Sequence, residues 1–273
     1  MASGREFSLL LFSIDPAFIR EAVRAGVEGI VVDWECAGKR ERQRGADTEV
    51  NRHSVEDLRR VRAATDGLIV CRINNSGATA AEIEQAIDAG ADELLIPMVR
   101  GMREVEAVLD RVRGRCRVGI LIETKDAVML APRLCALPLS RVYVGLNDLA
   151  IDRGAPNIFR AVLDGTVERV RRACPLPFGF GGLTLPDCGR PIPCRLLIAE
   201  MARLDTDYSF LRRSFYRDVH RGSIAHDVAR MLDAVATART RGPARILQDH
   251  AELDAAIDAL TSAADEVRRE ATA

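Results

Sequence analysis

Short apolar runs alternate with amphipathic segments along most of this chain. Runs of four to seven residues such as GIVVD (Gly29–Asp33) and VGILI (Val118–Ile122) are β-branched and apolar, which is typical of strands buried on both faces. Segments with apolar residues three or four positions apart follow them and predict helices. The predicted strands are Phe7–Ser13, Gly29–Asp33, Gly67–Ile73, Leu94–Pro97, Val118–Ile122, Arg141–Leu146, Pro177–Gly182 and a weaker Thr206–Leu211.

Helices are predicted between these strands, and the length of the repeat indicates the fold. The polar residues at successive strand ends, from Arg72 to Gly181, recur at intervals of about 25 to 33 residues, which is the length of one β/α unit. Eight such units form an α/β fold of the TIM (β/α)8 barrel type. A doubly wound open sheet would be favoured by a GxGxxG turn after the first strand, but Ser13-Ile14-Asp15 stands there.

Two helical segments follow the eighth strand. Phe215–Thr240 completes the barrel, so we assign residues 1–243 to a catalytic barrel domain and 244–273 to an extra C-terminal helix. Leu253, Ile257, Leu260 and Val267 form one apolar stripe on this helix. The stripe has to be covered, either by a neighbouring subunit or by the barrel of its own chain.

Composition narrows the functional class. The 273 residues are 48% hydrophobic and carry a formal net charge of −1, so no global charge attracts nucleic acid or an anionic membrane. The seven cysteines are scattered without a CxxC pair, and several lie inside apolar runs. With neither a secretory signal nor an apolar run of spanning length, we expect a reduced, cytoplasmic protein.

Acidic residues follow several strands at the end where barrel enzymes carry their active sites. Asp33 and Glu35 follow the second strand, Glu123 the fifth and Asp148 the sixth, while Arg72 ends the third. Four acids and one arginine on one rim are unfavourable unless a cation neutralises part of the charge. Oxygen ligands without Cys or His favour a hard divalent ion, Mg²⁺ or Mn²⁺. The alternative is that some of these acids only cap the helices that follow.

Five motifs in register carry a resemblance to a known family. The motifs GVEGIVVDWE, CRIN, GADELLIPMV, ILIET and VYVGLNDLAIDRG resemble the metal-dependent 2-keto-acid aldolases of the HpcH/HpaI type and their citrate lyase β-subunit relatives, within the phosphoenolpyruvate/pyruvate barrel superfamily. The resemblance covers residues 25–155 well and the last third of the chain loosely.

The resemblance implies a role for each matching residue. Glu123 and Asp148 match the metal ligands, Arg72 matches the arginine at the keto oxygen, and the Asp33–Glu35 pair matches carboxylates that hold metal-bound water. The backbone after the sixth strand would receive the substrate carboxylate, at Gly145, Asn147 and Asp148. Relatives also commonly form hexamers that exchange a C-terminal helix, so a homo-oligomer, trimer or hexamer, is expected.

Two positions depart from the family pattern. Cys36 stands where the aldolases usually have histidine, and Leu121 stands where many have glutamine. His53, in the long loop after the second strand, could replace the missing base, although a lone histidine in a polar loop is more often a surface residue. The same loop could form a basic lid through Lys39, Arg40, Arg42, Arg44 and Arg52, or be a solvated charge run. Arg212 and Arg213, after the eighth strand, could contact substrate but are left outside the predicted site.

The sequence therefore predicts a class II, metal-dependent carbon–carbon lyase (aldolase) that makes or cleaves a 2-keto acid through a pyruvate-type enolate. Its partners would be a small 2-keto acid and an aldehyde or related carboxylate. Two alternatives stay open. One is an acyl-CoA-linked lyase or thioesterase of the citrate/malyl type, and the other is a catalytically altered barrel that acts as a partner subunit.

Overall fold

Eight parallel strands close into a barrel in the part of the chain that the computed structural model describes, and each strand pairs with its sequence neighbours. The described residues are 6–36, 53–75, 79–220 and 222–272, with side chains up to residue 262. The strands are β1 Ser8–Phe12, β2 Gly29–Asp33, β3 Leu68–Arg72, β4 Glu93–Ile96, β5 Arg117–Ile122, β6 Val142–Val144, β7 Phe178–Phe180 and β8 Tyr208–Leu211. The predicted TIM barrel and its strand order are confirmed.

Helices connect the strands on the outside of the barrel. They are α1 Pro16–Arg24, α2 Val55–Ala64, α3 Ala80–Asp88, α4 Met102–Val112, α5 Lys125–Leu134, α6 Leu146–Arg153, α7 Arg160–Leu163, α8 Thr166–Ala173, α9 Cys194–Arg203, α10 Ser214–Asp218, α11 Ile224–Arg239 and α12 Pro243–Thr272. Several begin at the caps that the sequence indicates. The Asp15 side chain accepts a hydrogen bond from the Ala17 amide, with Pro16 as the first residue of α1. Ser54 forms a capping box with Asp57 at the start of α2. Among the described residues, no helix combines the length and apolarity needed to cross a membrane.

Successive side chains along each strand point alternately outward, toward the helices, and inward, into the barrel. The outward residues pack under the helices, and the inward ones form a separate interior cluster. Near the amino-terminal end of the barrel, the buried Arg141 guanidinium pairs with Glu93, 2.9 Å away, and lies 4.9 Å from the centroid of the Tyr208 ring. The interior cluster consists of Leu10, Val31, Val70, Leu95, Leu121, Tyr143, Tyr208 and Phe210. Because side chains fill the interior, a barrel of this kind carries its active site at the carboxyl-terminal ends of the strands.

The segment after β8 differs from the predicted single helix Phe215–Thr240. It forms a short helix α10 and then α11, with Val219 in an extended conformation and Gly222 at φ +87° between them. A left-handed glycine interrupts helical hydrogen bonding, and the apolar periodicity on either side conceals the break.

The described part of α12 packs on its own barrel. Leu253 and Ile257 are completely buried, and the Asn157 side chain donates a hydrogen bond to the Ile257 carbonyl at 3.1 Å. Arg195 also pairs with Glu252. This half of the predicted stripe is covered within the chain, whereas the Val267 side chain lies outside the described part. Contact of the helix with a neighbouring subunit stays a prediction.

Candidate active site

Arg72 lies at the centre of the polar cluster at the carboxyl end of the barrel. Register pairs Asp33 of β2 with Arg72 of β3, and the two side chains form a bidentate ion pair. Arg72 Nε donates to Asp33 Oδ1 at 2.8 Å, and Nη2 donates to Oδ2 at 2.7 Å. The third nitrogen, Nη1, lies 3.4 Å from Glu35 Oε2. Burial alone would lower the pKa of Arg72, but the charges of Asp33 and Glu35 raise it overall, so this guanidinium stays charged.

An aromatic ring also contacts this guanidinium. The Arg72 Cζ atom lies 5.2 Å from the ring centroid of Phe12, the last residue of β1. Phe12 in turn makes an edge-to-face contact with Phe210 of the barrel interior. The ring and the Asp33 carboxylate together hold Arg72 in one orientation. Phe12 is not among the residues predicted from the sequence, although its inward position at the end of β1 is a signal for such a role.

Glu123 is the second centre of the cluster. It follows β5, is only 3% exposed, and accepts the Met98 backbone N–H on Oε2 at 3.0 Å. Burial raises the pKa of Glu123 to about 8, helped by the negative charges of Asp148 and Glu35, while Arg72 and the Met98 amide oppose the shift. Met98 is also not among the residues predicted from the sequence, and its position directly after strand β4 and Pro97 is the available signal.

Asp148 approaches Glu123 through the amino-terminal end of α6. Gly145 is the N-cap of this helix, and a Cβ atom on Gly145 would lie 2.3 Å from Glu123 Oε1. The carboxylate therefore rests directly against the glycine backbone, and the helix begins there. Asp148 is buried in the first turn of α6 and directly follows Asn147. It lies four residues after β6 ends at Val144, whereas the predicted strand extended to Leu146, which is already helical. The predicted residues from strands β2, β3, β5 and helix α6 are thus brought together.

These oxygens suit a hard divalent cation. The four acids Asp33, Glu35, Glu123 and Asp148 are between 0% and 5% exposed. Arg72 is the arginine whose positive charge lowers the pKa of Glu123, against the effect of the neighbouring acids. When all four acids are ionised, the cluster therefore carries excess buried negative charge. In the described part of the chain, no three Asp, Glu, His or Cys side chains are arranged to enclose a metal ion. A cation held by Glu123 and Asp148 would take its other oxygen ligands from water and substrate, as Mg²⁺ commonly does.

The His53 ring is hydrogen-bonded to the backbone of β2, beside the cluster. The Asp33 amide donates to His53 Nδ1 at 3.0 Å. The Trp34 amide, one residue later, donates to the Arg72 carbonyl on β3. Successive amides of a strand point to opposite sides, so the Asp33 amide points to the β1 side of β2. A nitrogen that accepts an amide proton is itself unprotonated, so the neutral ring carries its proton on Nε2. His53 stays a predicted catalytic residue, but in this arrangement Nδ1 cannot take up a proton, and the ring can donate a hydrogen bond through Nε2.

The other positions around the missing family histidine are less informative. Cys36 is exposed, and its amide donates to Asn74 Oδ1 at 2.9 Å. Asn74 also donates to the Trp34 carbonyl, so it ties the end of β2 to the end of β3. Leu121 is part of the apolar barrel interior. The basic loop residues Lys39, Arg40, Arg42, Arg44 and Arg52 lie outside the described residues.

A family model establishes the relationship. The model of the HpcH/HpaI aldolase/citrate lyase family matches residues 7–175, which is more than half of the chain. The chain belongs to this family. Membership supports an enzyme of the carbon–carbon lyase kind that acts on 2-keto acids or citrate-type substrates. No protein with a curated description matches the sequence.

Solved structures support the HpcH/HpaI fold. The citrate lyase beta subunit from M. tuberculosis, complexed with oxaloacetate and magnesium, superimposes with a TM-score of 0.57 at 16% identity and covers 88% of this chain and 99% of its own. An HpcH/HpaI family protein from Burkholderia cenocepacia J2315 gives 0.58 at 13% identity, covering 86% and 95%. The citrate synthase SbnG gives 0.55 at 16% identity, covering 86% and 93%. At such identities these similarities establish the fold alone.

Proposed function

We propose that the protein is a divalent-metal-dependent carbon–carbon lyase that makes or cleaves a 2-keto acid through a pyruvate-type enolate. The observation that carries the proposal is the Arg72 guanidinium, 12% exposed and held by two hydrogen bonds to Asp33 within the same acidic cluster as Glu123. Aldol cleavage leaves negative charge on the former keto oxygen, and a fixed donor at this atom stabilises the transition state.

Each residue of the cluster has a separate role in this proposal. Arg72 donates to the keto oxygen, and Asp33 keeps the guanidinium oriented so that no reorganisation is needed during the reaction. Glu123 and Asp148 are the protein ligands of Mg²⁺ or Mn²⁺, which when bound supplies Lewis acidity at the keto acid. Amides in the first turn of α6, after Gly145 and around Asn147, receive the substrate carboxylate because helix amino termini favour anions.

Two further residues take part in the proposal. Glu35, 3.4 Å from Arg72 Nη1, orders water at the cation and balances the guanidinium charge. His53 donates a hydrogen bond through Nε2 to the oxygen that forms on the acceptor in the condensing direction, and water supplies the proton that this oxygen takes up. We propose a homo-oligomer, a trimer or hexamer. Cytoplasmic location stays a prediction.

Exchange of the methyl protons of pyruvate tests the proposal without knowledge of the second substrate. Purified protein with Mg²⁺ or Mn²⁺ in D₂O should incorporate deuterium into pyruvate, measured by proton NMR, and EDTA should stop the exchange. Glu123→Gln removes one predicted ligand charge with little change in shape and should lower the rate at least about a hundredfold. Absence of exchange across several divalent metals would exclude the proposal.

Two further assays, CoA thioester turnover and metal binding, separate the alternatives when combined with pyruvate exchange. Turnover of a citrate- or malyl-type CoA thioester without pyruvate exchange would favour the acyl-CoA lyase or thioesterase. A protein that binds no divalent metal, and loses nothing on Glu123→Gln, would be the altered barrel that serves as a partner subunit.

A further inference from the structure

Arg212 is a half-buried arginine at the end of β8, outside the acidic cluster. Its backbone N–H donates to the Leu183 carbonyl at 2.9 Å, which fixes the residue between the end of β8 and the segment after β7. Within the described residues, its Nε and Nη2 atoms are enclosed and have no hydrogen-bond partner. Enclosed donors of a charged group are unfavourable without an acceptor, so this arrangement calls for one.

The loop after β7 is shaped to admit this guanidinium. Gly189 has φ +104°, a conformation that side chains other than glycine rarely adopt. A Cβ atom at Gly189 would also lie 2.4 Å from Arg212 Nη2, and 2.9 and 3.0 Å from the backbone atoms Cys194 N and Ile192 O, which cannot easily move. Both backbone conformation and space therefore require glycine, and the loop backbone covers one edge of the guanidinium. Nε and Nη2 are therefore enclosed, although Arg212 as a whole is half-buried.

A second unpaired donor lies two residues further along the chain. The Ser214 hydroxyl is enclosed and has no hydrogen-bond partner in the described part of the chain. Asp218 lies in the same neighbourhood but is engaged elsewhere, because it accepts from the Thr184 hydroxyl at 2.7 Å and from Arg217 Nε at 3.4 Å. The nearby acid therefore does not supply the acceptor that Arg212 lacks.

The location of these donors is informative. Arg212 directly follows β8, and Ser214 is the first residue of the short helix α10, at the same end of the barrel as the acidic cluster. In many barrels of this type, the loops after strands seven and eight and a short extra helix bind a phosphate group of the substrate. A guanidinium and a hydroxyl both donate, which selects an oxyanion.

We propose that Arg212 and Ser214 form a subsite for a terminal carboxylate or phosphate group. That this group belongs to the second substrate, the acceptor joined to the enolate, rests on the proposed function. The binding of the anion itself does not. Arg72 and the predicted cation hold the keto acid, and Arg212 selects an acceptor that carries a negative charge at the end remote from the reacting carbon.

Anion binding by the full-length protein tests the subsite directly. Inorganic phosphate and succinate are titrated calorimetrically into metal-free protein at constant ionic strength, so that no divalent cation attracts the anion to the acidic cluster. Arg212→Gln should weaken binding at least about tenfold, and Ser214→Ala should weaken it by a smaller factor. Arg217→Gln is the matched control, since this arginine lies five residues away with its side chain 80% exposed, and it should leave the affinity unchanged.

Each outcome decides a point. Binding of phosphate alone would indicate a phosphorylated acceptor, and binding of succinate alone would indicate a carboxylate. Affinity for neither anion, or equal affinity in wild type and Arg212→Gln, would overturn the subsite. If Arg212→Gln does not fold, Arg212→Lys serves instead, because it keeps the charge but loses the planar donor edge and should still bind more weakly. Failure of pyruvate exchange in the wild type would overturn the proposed function while leaving the anion result intact.

Discussion

Arg72 makes three different contacts, and each constrains a different part of its side chain. Asp33 takes two of the nitrogens, Glu35 lies near the third, and the Phe12 ring lies close to the carbon that joins them. A planar, permanently charged fork can satisfy all three at once, whereas an ammonium group is a point charge and cannot. Orientation of this one side chain is therefore the residue-scale property on which the proposed chemistry depends.

Replacing Arg72 with lysine tests this dependence. Arg72→Lys keeps the positive charge but loses the two parallel hydrogen bonds to Asp33, so we expect the rate of pyruvate deuterium exchange to fall about a hundredfold. Arg100→Lys is the control, because this arginine is exposed and pairs with Asp126 and Asp152 on the surface. Exchange at the wild-type rate in Arg72→Lys would show that charge alone is sufficient.

The junction between β5 and α6 is the critical contact at the scale of elements. Strand β5 delivers Glu123, and helix α6 begins against its carboxylate because Gly145 has no side chain. The Met98 amide after β4 holds the other oxygen at 3.0 Å. Three consecutive β/α units thus define the position of one carboxylate, and a small shift of α6 would move Asp148 relative to Glu123.

A single methyl group tests this junction. In Gly145→Ala the Cβ atom would lie 2.3 Å from Glu123 Oε1, so the carboxylate or the helix has to move. We expect exchange to fall at least about tenfold and stability to fall by about 1–3 kcal/mol in urea unfolding.

Gly154→Ala is the matched control at the other end of the same helix. Gly154 has φ +65° and no atom near its Cβ position, so alanine there adds about 1 kcal/mol of backbone strain and should leave exchange unchanged. Equal effects of the two substitutions on exchange would contradict the proposed contact.

The C-terminal helix joins the barrel at the scale of the whole molecule. Leu253 and Ile257 are buried, and His250 contacts Glu200 of α9 at 3.0 Å. Leu247, near the start of the same helix, is 70% exposed. The helix therefore contributes to the core of its own chain while an exposed leucine remains on its surface.

Replacing Leu253 and Leu247 with alanine, one at a time, should show which of them contributes to the stability of the core. Leu253→Ala should lower the free energy of unfolding by about 2–5 kcal/mol, since it leaves a cavity between α12 and α9. Leu247→Ala should change it by less than about 0.5 kcal/mol in the isolated chain. Urea unfolding at two protein concentrations measures both and also tests the predicted oligomer, whose stability would rise with concentration. A neutral Leu253→Ala would contradict packing of α12 on its own barrel.

Strand periodicity and the spacing of β/α units are local properties, so the sequence is sufficient to predict the barrel and to place Arg72, Glu123 and Asp148 at its carboxyl-terminal end. The break at Gly222 escaped the same reasoning, since apolar periodicity continues on both sides of it. The pairs of groups that meet are visible only in the folded barrel: Asp33 with Arg72, the Met98 amide with Glu123, and Arg212 with Gly189. These contacts depend on strand register and barrel closure, which bring together residues 23 to 39 positions apart, and local patterns do not encode them.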